Sequence, residues 1–354
     1  MDPFPARMTR YALSLSLALC AAPAFAQTET KTVPGTDVAI YNLAGRLKAV
    51  PGTGSSVSVE ITRAGPDASK LRVETGLVRN RETLRIVYPA DRIVYPDMRG
   101  SRVDLGVRAD GTFSDGSSDE FRSLDRVYIR STGGGLEAHA DLVVSVPRGQ
   151  KVALYLAAGR VDVTNVDGNV LVDVASADVD VSGTKGPLTL DTGSGRVSVR
   201  DVNGDVTVDA GSGGITLAQI KGSVLHLDTG SGSVDGSDID VKEFTADVGS
   251  GGVRLAKLKS PNVTVETGSG SANIELVGDL ERMSVESGSG GVTIRAPATL
   301  SAEIEAEAGS GGFQTDFEVV TRRMGRDHIQ GRIGDGKARI RLESGSGTIR
   351  LLKN

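Results

Sequence analysis

Two copies of Asp-Thr-Gly-Ser, at 191–194 and 228–231, combine residue types and a spacing that could do chemistry. Aspartic proteases use a pair of Asp-Thr-Gly motifs to bring two carboxylates together around one shared proton. Here the copies start only 37 residues apart, too few for each to occupy its own lobe. The same register also holds Asp209-Ala210-Gly211, Asp247-Val248-Gly249 and Glu266-Thr267-Gly268, so the motif is one instance of a longer series. An acidic residue stands two places before a glycine at Asp191, Asp209, Asp228, Asp247, Glu266, Glu286, Glu307 and Glu343. Strand alternation would point all eight away from a core and stack them about 5 Å apart. Like charges at that spacing repel. Such a column is either a solvated, aggregation-resistant face or a binding strip for cations or a basic ligand.

The remaining chemistry is sparse. The histidines are His139, His226 and His328; His226 lies two residues from Asp228, with no nucleophile placed beside it. Gly211-Ser212-Gly213-Gly214 lacks the lysine and the helix start of a phosphate loop. The calcium-binding nonapeptide is absent. Sugar subsites use aromatic platforms, yet from residue 140 onward the aromatics are Tyr155, Phe244, Phe313 and Phe317, of which Phe244 and Phe313 read as core. The outward neighbours Thr189, Thr207, His226, Thr245, Thr264, Ser284, Glu305 and Arg341 are too mixed for an ice-binding threonine array. No catalytic residue, metal site or cofactor is expected, and the chain reads as a non-enzyme.

The elements that must position these residues come from a repeat. Gly-Ser-Gly occurs at 193–195, 211–213, 230–232, 249–251, 268–270, 288–290, 309–311 and 345–347, with Ala157-Ala158-Gly159 and Ala175-Ser176-Ala177 as degenerate copies upstream. Each period reads alike: Val206-Thr207-Val208-Asp209 alternates, the glycines turn, and Ile215-Thr216-Leu217 alternates again. Strands this short, at this period, imply a coil in which each strand pairs with its counterpart one turn away. The fold class is all-β: a single-stranded parallel β-solenoid, or β-helix, of roughly 18–21-residue rungs, about eleven in number, behind an irregular β-rich N-terminal cap. Its open edges need protection, and Arg350, Lys353 and Asn354 are expected to blunt the C-terminal one.

The chain divides into a signal peptide at 1–26, a cap with a loop insertion at 27–139, and the repeat domain at 140–354, with an insertion at about 317–336. Arg7 and Arg10 precede an apolar run from Tyr11 to Ala22, and Ala24-Phe25-Ala26 is a cleavage pattern. Leu19 before Cys20 does not suit lipid modification, so ordinary cleavage is expected. Val38–Ile40, Leu47–Val50 and Val57–Ile61 look like strands of early rungs, and residues 109–119 read as an exposed loop. Export without a second cysteine means no disulfide framework. Leaving out Arg7, Arg10 and Asp2 moves the net charge from −5 to −6. That mild acidity, with no basic patch legible in the sequence, argues against nucleic acid. No later apolar run is long enough for a transmembrane anchor.

Ala140-Asp141-Leu142-Val143-Val144-Ser145-Val146-Pro147-Arg148-Gly149, the Gly-Ser-Gly rungs, Arg332-Ile333-Gly334-Asp335-Gly336 and Leu342 to Leu351 together resemble the bacterial putative-adhesin family. This is a domain family of unknown function, akin to the head domain of autotransporter adhesins. The resemblance spans roughly 140–354, with an echo at Val38–Ile61, and implies an extracytoplasmic β-solenoid without assigned catalytic residues. The resulting expectation is an exported, monomeric, adhesin-like binding or cell-envelope scaffold protein, periplasmic or at the cell surface. Its partner would be an envelope protein or a glycan. The alternatives are envelope-stress sensing, which some relatives suggest, and a carbohydrate-active β-helix enzyme.

Overall fold

The computed structural model describes residues 27–98, 102–113, 124–325 and 327–354. The expected signal peptide, 1–26, lies outside the described residues, as do residues 114–119 of the expected loop. The rungs form as the alternation requires. In a typical one, Val206–Ser212 and Ile215–Lys221 bury every second side chain until the corner interrupts them. Each strand pairs in parallel with its counterpart a period away: Val206 with Leu225, Asp209 with Asp228, Ile215 with Val234. Like residues therefore stack on like. Inward columns such as Val208, Leu227, Ala246 and Val265 make a thin apolar core at most 1% exposed.

Several bends hold this geometry, among them a glycine column at Gly186, Gly204 and Gly222 and the two described next. At the first, a β-carbon on Gly211 would stand 2.8 Å from the carbonyl oxygen of Gly193, and one on Gly230 would stand 2.7 Å from that of Gly211. At the second glycine of each corner, as in Gly213 and Gly232, the approach to the carbonyl below is closer still. Only hydrogen fits where backbones approach along the stack this tightly. The residue before each pair faces inward, and at Thr229, Thr267 and Ser344 its hydroxyl closes the turn. The Gly232 N–H donates to Thr229 Oγ1 at 3.0 Å and the Gly270 N–H to Thr267 Oγ1 at 3.1 Å.

The second corner was not legible in the repeat. Asn165, Gly183, Asp201, Gln219, Asp238 and Lys257 follow one another up the stack, each in the left-handed region with φ between +53° and +68°. This extra residue breaks the alternation, so that Leu217 and Ile220 both point inward. Asn and Asp tolerate that conformation best among non-glycine residues. The column ends where the pairing shifts between Leu255 and Leu258.

Chain order and stacking order part company at both ends. Strand Asp37–Gly52 lies between His139–Pro147 and Lys151–Thr164, although those two are consecutive in sequence. At the other end, the last rung, Ala338–Ser344 and Ile349–Lys353, slides between Arg282–Ala296 and the preceding rung, Ala302–Glu307 and Phe313–Thr315. The expectation that Arg350, Lys353 and Asn354 blunt an edge is therefore corrected. Arg350 Nε donates to Gln314 at 3.1 Å, and Asn354 Nδ2 to the Leu276 carbonyl at 2.9 Å, both inside the stack. The expected insertion supplies the cover instead, as a hairpin of Val320–Met324 and His328–Ile333 running antiparallel to Ala302–Glu307. Antiparallel strands also close the first end, through Val57–Ala64 with Gln27–Val33 on one side and Arg81–Val87 with Arg72–Val78 on the other. Beside them the cap carries a small sheet of Arg92–Val94, Val103–Val107 and Asp125–Arg130. Among the described residues no helix is long and apolar enough to cross a membrane.

Candidate functional site

The eight acidic residues all face outward, because each stands between inward neighbours on its strand. Asp209 is exposed between buried Val208 and Ala210, and Asp247 between Ala246 and Val248. The pairing registers join Asp191, Asp209, Asp228, Asp247, Glu266 and Glu286 in one file. The intercalated last rung then changes the order, so that Glu343 stands between Glu286 and Glu307. The file also extends beyond the sequence-read series. Asp173 precedes Asp191 and stands two places before Ala175, the degenerate corner that was its only signal. Past Asp173 the same file runs into Tyr155 and Tyr41, whose rings stack at 4.4 Å with an interplanar angle of 2°. At the far end Glu307 meets His328.

The electrostatics differ along the file. Burial, and then the charge of Asp209, push the Asp191 carboxyl above its ordinary range. Arg341 forms an ion pair with Glu343 at the other end. Between them Asp209, Asp228, Asp247 and Glu266 have no ion-pair partner among the described residues. On the adjoining face the strands Val234–Asp240 and Val253–Lys259 set opposite charges in register. Arg254 pairs with Asp235 at 2.8 Å, Lys257 with Asp238 at 3.3 Å and Lys259 with Asp240 at 3.0 Å. That stretch of the adjoining face is therefore neutralised across its rungs, whereas the file from Asp209 to Glu266 is not.

This strip suits some chemistry and not other kinds. Asp191 and Asp228 have Asp209 between them, about 10 Å apart at two rung spacings, so they cannot share a proton. Their threonines face inward, as Thr229 at the corner shows. Outward carboxylates on parallel strands do not converge, and among the described residues no three Asp, Glu, His or Cys side chains are placed to hold a metal ion. The histidines sit on separate layers. His139 lies against the Tyr95 ring at 5.2 Å, His226 is in register with Thr207 and Thr245, and His328 is on the capping hairpin. Where the cap meets the stack, an open groove of about 850 Å³ is lined by Asp104 and Arg126 from the small sheet and by Asp173 and Asp191 from the file. What the arrangement can do is present evenly spaced, fixed anionic groups to a partner with repeated positive charge.

The family model of Toastrack DUF4097 matches residues 183–352. That segment of the chain, just under half of its length, is similar to the Toastrack family. The matched segment starts at the left-handed residue Gly183 and contains all eight acidic residues read from the sequence, while Asp173 and the two preceding layers lie before it. Among solved structures the chain is similar to a putative cell adhesion protein from Clostridium sporogenes ATCC 15579. The identity is 11% and the TM-score 0.21, covering 93% of this chain and 100% of that one. That similarity is too loose to bear on function. No curated protein matches the chain.

Proposed function

We propose that this is an exported, non-enzymatic binding protein of the cell envelope, adhesin-like in character, which engages a basic partner along the acidic file. The observation that supports this reading is the contrast between the two faces. On the second face Asp235, Asp238 and Asp240 each pair with a cation of the next rung, whereas Asp209, Asp228, Asp247 and Glu266 have no such partner among the described residues. A solenoid that needed only solubility could mix its signs on both faces. A file of like charge on a rigid ladder raises the local concentration of a cationic partner and loses that effect with salt.

The test is binding of oligolysine, and of proteins captured from an envelope extract, by the wild-type chain and by a D209N/D228N/D247N variant. Removing three neighbouring charges is expected to weaken oligolysine binding by about tenfold or more at low salt. Unchanged binding would exclude the file as the site. Recovery of one membrane regulator as the dominant captured protein would replace adhesion by envelope sensing. Turnover of a polysaccharide, abolished by the same substitutions, would overturn the non-enzymatic reading.

A further inference from the structure

The small sheet of the cap turns outward a set of arginines that lie far apart in sequence. Alternation buries Ile93, Val127 and Ile129 and sends Arg92, Tyr128 and Arg130 to the outer side. The pairing sets Arg92 beside Tyr128 and Val94 beside Arg130. After Arg130 the chain enters Ser131-Thr132-Gly133-Gly134-Gly135 and folds back over these strands. The Leu136 N–H donates to the Arg92 carbonyl at 2.8 Å, and the Val94 N–H to that of Leu136 at 2.9 Å. Glycine at 135 permits this return, because a β-carbon there would stand 2.8 Å from the Arg92 carbonyl oxygen. The loop and the strands enclose a pocket of about 370 Å³, lined by Arg92, Tyr128, Arg130 and residues 132–134.

The charge in this pocket is unbalanced. Among the described residues neither Arg92 nor Arg130 has an ion-pair partner, and none of those lining the pocket is a carboxylate. Asp104, in register with Tyr128, is held by Arg102, whose Nε lies 2.8 Å from it, and its charge acts more weakly on Arg130 and Arg126. The Arg102 guanidinium also lies 5.5 Å from the centre of the Tyr128 ring. With an overall charge of −5, the molecule's general field does not draw anions in, so attraction must come from this local pair. Planar guanidinium forks match the geometry of carboxylate, sulfate and phosphate, and the volume is at the lower end for a small-ligand site.

We propose that this pocket binds an oxyanion group, carboxylate, sulfate or phosphate, carried by a molecule about the size of one sugar residue. The site is independent of the acidic file and takes a ligand of the opposite charge. Calorimetric titration of the whole chain with glucuronate, inorganic sulfate, inorganic phosphate and neutral glucose tests it. Glucuronate is expected to bind with a dissociation constant of about 1 mM or below, and glucose not to bind. Tighter binding of glucuronate than of the inorganic anions assigns the ligand to an acidic sugar; equal binding assigns it to the free anion.

Arg92→Gln combined with Arg130→Gln is expected to weaken binding by about tenfold or more, because each fork supplies a charge-assisted contact. Both side chains are exposed, so the melting midpoint should not move. Gly134→Leu is a second, charge-neutral variant. A β-carbon at Gly134 meets nothing within 4 Å, so the new side chain would occupy the pocket mouth and block it. Arg148→Gln, at an exposed arginine paired with Asp167 elsewhere, should leave binding unchanged. The proposal is overturned if no anionic probe binds at about 10 mM, if the double variant binds as well as wild type, or if Arg148→Gln weakens binding equally.

Discussion

At Gly232 and Gly214, two glycines of neighbouring corners, the same residue type answers different demands. A β-carbon on Gly232 would collide with the Gly213 carbonyl oxygen, whereas on Gly214 the nearest atom, the Ser233 oxygen, is 3.8 Å away. Gly232→Ala is therefore expected to destabilise the protein by about 3 kcal/mol or more, since backbone on both sides must move. Gly214→Ala should change stability by no more than about 0.5 kcal/mol. Chemical denaturation of the two variants distinguishes these outcomes. Asp191 gives a second prediction, in pH. Its carboxyl is raised by burial first and by Asp209 second. A raised acid favours the protonated form in the folded state, so its contribution is present below the ordinary aspartate range and is lost as pH rises through the folded value. Asp191→Asn should stabilise the chain at neutral pH and give no gain near pH ~3. Denaturation midpoints at the two pH values check the sign, and a loss of stability at neutral pH would contradict it.

The elements show a regular pattern closed irregularly. Every internal rung is paired on both sides, and so is the C-terminal one, because Ala338–Ser344 lies between Arg282–Ser287 and Ala302–Glu307. A rung at the end of a stack would fray, and its amides would exchange quickly. The amides of Ala338–Ser344 are instead expected to exchange as slowly as those of Glu243–Val248 in the middle of the stack, while Val320–Met324, paired on one side only, exchanges fastest. Hydrogen exchange read by mass spectrometry measures this directly. Deleting 338–354 removes an internal layer rather than a terminus. It leaves two sheet edges facing each other across a gap, and cooperative unfolding should be lost.

For the whole molecule, charge is segregated by face. Mutual repulsion along the acidic file is screened as the Debye length falls from about 30 Å to about 8 Å between low and physiological salt. Asp228→Asn is expected to raise the melting temperature at low salt and to give a smaller gain at physiological salt; thermal unfolding at the two ionic strengths measures it. Lys259→Gln, which breaks the pair with Asp240, should have the opposite sign. The same scale separates what composition can and cannot report. Arg92 and Arg130 are 38 positions apart and only the small sheet brings them to one pocket, so composition could not report their proximity.

The sequence by itself determined the features that repeat. Period-two alternation decided which side chains enter the core, and recurring Gly-Ser-Gly located the corners. Together they placed the acidic residues outward and in file. These follow from local geometry and a constant period, and every rung restates them. The tertiary structure decided what repetition leaves degenerate. Each rung offers the same backbone ladder and the same apolar face, so pattern alone cannot say which rung stacks on which. The intercalation of Asp37–Gly52 and of the last rung, and with it the place of Glu343 between Glu286 and Glu307, is settled only by how the ends close. The left-handed column from Asn165 to Lys257 was obscured because its residues share a backbone conformation rather than a side-chain type. Gly-Ser-Gly itself changed meaning between the two levels: read as a turn signal, it is conserved from rung to rung because stacked corners leave no room for a β-carbon.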